Sequence, residues 1–128
     1  MADGFAPGRA IFNRTFAKAC LPPPNIGLPD WSQKHRVVPA GPNPGKWDNA
    51  QTPYLVKPMD CLSVAHPARR VVVKGSAQIG KTEILINWAG YVAEVDPATM
   101  YIGVQSDSKV VEFNEEKLDP SIEATRHL

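Results

Sequence analysis

The chain has little cysteine, almost no net charge and no long hydrophobic run, and each shortage removes a class of protein. Two cysteines in 128 residues, Cys20 and Cys61, stand at no metal-like spacing, so free thiols in a reducing compartment are expected rather than a disulfide framework. Lys and Arg number 14 against 13 Asp and Glu, a net charge of +1. Residues 1–67 carry seven cations and four carboxylates, and residues 68–128 seven and nine. Neither half is basic enough to announce nucleic-acid binding by composition alone. No stretch nears the roughly 20 apolar residues of a membrane span, and no charged n-region with an apolar h-region marks a signal peptide. A cytoplasmic protein without a membrane partner is expected.

Proline is nearly missing from the back of the chain, because eleven of the thirteen prolines fall in residues 1–67. This divides the sequence into an irregular front, residues 1–67, and a regular back, residues 68–128. In the front, Ile11, Phe12, Phe16, Ala19 and Cys20 have helical spacing, which predicts a short amphipathic helix over Arg9–Cys20, stopped by Pro22-Pro23-Pro24. Its apolar stripe reads as core, with a docking face as the competing reading. Asp30 is placed to cap a second helix from Trp31 to about Val37, and Pro39 to Pro44 returns to turn chemistry. Leu55, Met59 and Leu62 mark a third helical segment with Pro53 in its first turn. Trp47 and Tyr54 open that segment, and either ring face suits stacking on adenine or simple burial.

The back repeats one unit twice: strand, loop, helix. Arg70-Val71-Val72-Val73-Lys74 and Thr99-Met100-Tyr101-Ile102-Gly103-Val104 read as short buried strands. Ile84, Leu85, Trp88, Ala89, Tyr91, Val92 and Val95 cover a broad helical face that Asp96-Pro97 ends. Ser106, Asp107 or Ser108 can cap a last helix through Val110, Val111, Phe113 and Leu118, stopped at Asp119-Pro120. The β-α-β spacing implies a right-handed crossover, and the fold class is α/β.

Between the first strand and its helix lies Gly75-Ser76-Ala77-Gln78-Ile79-Gly80-Lys81-Thr82, a full G-x-x-x-x-G-K-T phosphate-binding pattern. Successive backbone N–H groups there can wrap phosphates, and the helix N-terminus points its positive dipole end at them. Gly75 and Gly80 allow the close approach a Cβ would block. Lys81 then reaches the β- and γ-phosphates, and the Thr82 hydroxyl ligates Mg²⁺. ATP and Mg²⁺ are the expected cofactors.

The punctuation of the front adds specificity. Pro22-Pro23-Pro24 with Trp31, Pro44-Gly45-Lys46-Trp47, Thr52-Pro53-Tyr54-Leu55 and Val72 through Glu83 resemble, in that order, the N-terminal part of the large terminase subunit of tailed bacteriophages. The group is the lambda-like genome-packaging motors. Ser106-Asp107, Phe113 and Lys117-Leu118-Asp119-Pro120-Ser121-Ile122 fit the segment after the family's second strand. The resemblance implies a P-loop NTPase-type parallel sheet, present here only as its first β-α-β-α portion. It implies a motor in the host cytoplasm whose whole form hydrolyses ATP to drive double-stranded viral DNA into the prohead through a portal. The small terminase subunit is its companion, and a C-terminal nuclease domain cuts the concatemer. Gly75 through Thr82 carry over as the phosphate and metal site, and the Trp47–Tyr54 segment, with Tyr54 as its named contact, as the adenine side.

The same resemblance asks for an acidic pair at the end of a third strand, and none follows Val104. Glu115-Glu116 falls within the last helix and reads as a solvated face. No catalytic residue is therefore assigned in this chain, and nucleotide binding without hydrolysis is the expectation, with an oligomer only in the full-length motor. The family also keeps later strands between the loop strand and the next one in sequence, which leaves these two without a sheet centre of their own. Two other readings stay open: a small P-loop kinase, and an interaction module with a vestigial loop docking through Ile11, Phe12 and Phe16.

Overall fold

A computed structural model describes residues 12, 13, 15–17, 20 and 25–125. The elements are α1 (Leu28–His35), β1 (Val37–Val38), β2 (Gly45–Lys46), α2 (Pro53–Asp60), α3 (Lys81–Val95), α4 (Asp107–Phe113), a π-helical turn (Asn114–Leu118) and α5 (Asp119–Ala124). Helices α1, α2 and α3 pack on one another, and α5 packs against β1.

Helix α1 begins earlier than the Trp31 start read from sequence. Pro29 sits in its first turn with φ preset, and Asp30 lies inside that turn, against the helix dipole, rather than at the cap. The Leu28 N–H, one of the four that a helix start leaves without a partner, donates to Ser63 Oγ at 2.8 Å. Leu28 and Trp31, three residues apart, face inward and are 0% and 1% exposed. Trp31 meets the edge of Tyr91 at 6.2 Å, and its indole N–H donates to Glu94 Oε2 at 2.9 Å. With Trp47, Leu55, Met59, Ile84, Tyr91 and Val95 they form the core. Each such side chain contributes about 1.5–3 kcal/mol through burial.

The third segment is helical with Pro53 in the first turn of α2 and Leu55 and Met59 on its buried side, but the helix ends at Asp60 and Leu62 lies in the turn beyond it. Helix α3 runs to Val95 and stops before Pro97, as its sequence demands.

The expected parallel sheet is not formed among the described residues. The one ladder is antiparallel, Val37 opposite Lys46 and Val38 opposite Gly45. The two stretches read as strands still show a period of two. Val71 and Val73 are half-buried while Val72 is 81% exposed, and Met100, Ile102 and Val104 are half-buried while Tyr101 is 92% exposed. A strand needs a neighbour about 4.8 Å away, and neither stretch has one among the described residues. They are half-buried, not fully buried as the unbroken apolar runs implied.

The last helix does not stop at Asp119-Pro120. Proline has no N–H and its ring crowds the carbonyl four residues back, yet the chain stays helical through Phe113, Leu118 and Asp119, all right-handed. The wider π turn over Asn114–Leu118 absorbs the misfit and Pro120 becomes a first-turn residue of α5. Of the helix expected over Arg9–Cys20, residues 12, 13 and 15–17 are helical, while Ile11 and Ala19 lie outside the described residues. Phe12 and Phe16 stack at 5.8 Å and are 65% and 60% exposed.

Candidate functional site

Residues 75–80 form a loop, exposed over 75–78 and half-buried at Ile79 and Gly80, that feeds into α3, whose first residues are Lys81 and Thr82. Gly80, the residue before the helix, is left-handed at φ +85°, and Gln78 is left-handed at φ +58°, the one non-glycine with positive φ among the described residues. Left-handed backbone costs a residue with a Cβ about 1–2 kcal/mol. Left-handed residues next to right-handed ones are one way a backbone turns successive N–H groups toward an anion. A Cβ on Gly75 would run into the terminal methyl of Ile79, and one on Gly80 would stand 2.9 Å from Leu55 Cδ1; side chains can shift to relieve such contacts, whereas the positive φ of Gly80 disfavours any Cβ. The Lys81 ammonium folds back over the loop and donates to the carbonyl oxygens of Gly75, at 3.2 Å, and Ser76.

The loop divides two cavities. On one side is a cleft of about 580 Å³, lined among others by Gln78, Ile79, Gly80, Gln51, Thr52 and Tyr54. On the other, Thr82 and Leu85 face Gly103, Gln105, Lys109 and Glu112 across about 300 Å³. The structure thus brings Tyr54 to the loop and gives Thr82 a separate hollow.

Both candidate aromatics border the cleft, and they differ in exposure. Trp47 is 6% exposed in the core, its indole N–H donating to Asn49 Oδ1 at 2.8 Å, whereas Tyr54 is 57% exposed on the cleft wall. Asn49 explains the difference: its side-chain amide donates to Pro29 O at 2.9 Å, which fastens the Trp47 segment onto α1. Thr52 also borders the cleft, and its Oγ1 is buried without a hydrogen-bond partner among the described residues.

Sequence reading missed Arg36. It is 2% exposed and binds four acceptors. Nε donates to Asn87 Oδ1 at 3.0 Å, Nη2 to Glu83 Oε2 at 3.2 Å and to Ser121 Oγ at 3.1 Å, and Nη1 to the carbonyl of Val37. Burial pushes the guanidinium below its ordinary pKa, and the Glu83 carboxylate partly restores it. No local pattern could have revealed this cluster, since its partners lie 47, 51 and 85 residues away.

The chemistry of the donor set fits a nucleoside triphosphate. The Lys81 ammonium lies at the loop, the Tyr54 ring and the unpaired Thr52 hydroxyl border the adjoining cleft, and Thr82 offers one metal-ligating oxygen. No group of three or more His, Cys, Asp or Glu able to hold a metal by itself occurs among the described residues. A divalent cation here would draw its other ligands from phosphate and water. No helix is long and apolar enough to cross a membrane.

Comparison with the curated proteins returned no match, and neither did comparison with the solved structures. Among family models, that of the phage terminase large subunit gpA, ATPase domain, matches residues 41–128. The match takes in the loop, the cleft wall carrying Tyr54 and everything after them. Covering well over half of its length, it shows that the chain belongs to the family of phage terminase large subunit gpA ATPase domains.

Proposed function

We propose that the chain binds ATP for a viral genome-packaging motor. Gly75 through Lys81 hold the phosphates, Tyr54 lies along the base, and the Thr82 hydroxyl ligates Mg²⁺. The observation that carries this reading is the loop at the mouth of the 580 Å³ cleft, with the Lys81 ammonium already resting on loop carbonyls. A cation held there by neutral oxygens can exchange them for phosphate oxygens, because charge–charge attraction is then added to the hydrogen bond.

Bound ATP supplies the phosphoanhydride bond whose cleavage drives the motor. This chain's residues bind the nucleotide and position it. The double-stranded DNA, the small terminase subunit and the portal are the partners this reading implies for the whole motor, and family membership supports them.

Isothermal titration of the chain with Mg·ATP, beside its Lys81→Ala variant, tests the reading. Wild type should give a saturable isotherm, and the variant should lose about tenfold or more in affinity, as expected for one charge-assisted contact of roughly 1.5–3 kcal/mol. Equal affinities in the two proteins would exclude a phosphate site at this loop.

A further inference from the structure

We propose that Arg36 is a positioning residue for the nucleotide site: acting through Glu83 and Ser121, it sets the glycine-rich loop against the opposite wall of the cleft. The inference rests on the nucleotide reading but is carried by different observations. Glu83 is the second residue after Lys81, in the first turn of α3, and its side chain is 33% exposed on the cleft. Ser121 belongs to α5, which follows the π turn whose Glu116 and Lys117 close the far side of that cleft. Arg36 grips both through one nitrogen, Nη2, and adds Asn87 one turn further along α3.

Arg36 borders the cleft, but this geometry commits its guanidinium to the protein rather than to a ligand. Arginine has five N–H donors, and four are engaged by protein acceptors in a side chain with 2% exposure. What the guanidinium can do is hold two walls in one register. From the end of α1 its planar fork reaches acceptors on β1, α3 and α5 together, and the point charge of a lysine cannot duplicate that span. Glu83 would otherwise be drawn toward the loop's own ammonium, Lys81, or left to repel incoming phosphate. Paired with Arg36, its charge is neutralised beside the anion site while still favouring the helix N-terminus.

The test uses the chain as it stands, with Arg36→Lys as the variant, since removing the side chain's donors altogether leaves buried Asn87 and Ser121 without their shared partner and endangers folding. Two readouts are taken: affinities for ATP and AMP, and amide hydrogen exchange without nucleotide over residues 78–84 and 118–125. A positioning role predicts that Arg36→Lys melts cooperatively, loses about fivefold or more in affinity for ATP relative to AMP, and exchanges faster in both segments. Glu83→Gln should reproduce the loss in the ATP-to-AMP ratio. A purely structural role would lower both affinities alike, and an unchanged ratio in a folded variant overturns the proposal. Unchanged exchange overturns it as well, whatever the nucleotide result. Failure of the wild type to bind ATP would instead defeat the nucleotide reading and leave the exchange arm to decide whether Arg36 holds the two walls.

Discussion

At Gly80 two constraints meet, a left-handed backbone and the Leu55 methyl group 2.9 Å from where a Cβ would stand. Alanine at this position must accept the unfavourable dihedral and push into α2. The expected outcome for Gly80→Ala is a loss of about 1–2 kcal/mol or more. Urea unfolding reads it as a lower midpoint at unchanged slope, and an unshifted midpoint would show that the loop relaxes freely. Gly80 could be singled out from sequence because the motif requires a glycine there. Arg36 could not, because a single arginine after a short helix has no spacing to betray it. Burial of Trp47 and exposure of Tyr54 were likewise undecidable, since Asn49 chooses between them through a bond to Pro29 twenty residues away.

Among the elements, those punctuated by proline were legible and those needing a distant partner were not. Pro53 opens α2 and Pro97 closes off α3 because proline acts on the residues next to it. The stretches around Val72 and Tyr101 have the alternation of strands, but a ladder is made by two segments and cannot be read from one. Pro120 misled in the other direction, its local rule being satisfied by a π turn instead of a helix end.

Helix α4 offers a check through charge. Lys109 Nζ pairs with Glu112 one turn away, and the hydrogen bond and positive charge of Lys109 hold the Glu112 carboxyl below the usual carboxylate range, with a smaller pull from Lys117. The folded value being the lower one, the contribution is present above the ordinary Glu pKa and is lost as pH falls through the lowered value. Carbon-detected NMR titration should place Glu112 below a free glutamate, and Lys109→Ala should return it upward. An unmoved titration in that variant would show that the pair does not persist in solution.

For the whole molecule, the family match covers the stretch that holds the loop, and the carboxylates around Thr82 bear on what the chain does alone. The hollow beside Thr82 is lined by one carboxylate, Glu112, already committed to Lys109. Glu115 and Glu116 are exposed on the π turn, as a solvated face would be. Activating water beside a Mg²⁺-bound triphosphate calls for a carboxylate or amide poised at the γ-phosphate. Negligible steady-state ATP hydrolysis is therefore expected from this chain. A phosphate-release assay checks it, and robust Mg²⁺-dependent turnover abolished by Lys81→Ala would contradict it.

Amide chemical shifts recorded while Mg·ATP is titrated into ¹⁵N-labelled protein test the central claim most directly, because they locate the ligand as well as detect it. Saturable shifts concentrated at residues 75–82, with Tyr54 moving alongside them, are the predicted result. Shifts absent from that loop, or spread without saturation over the surface, would contradict the account.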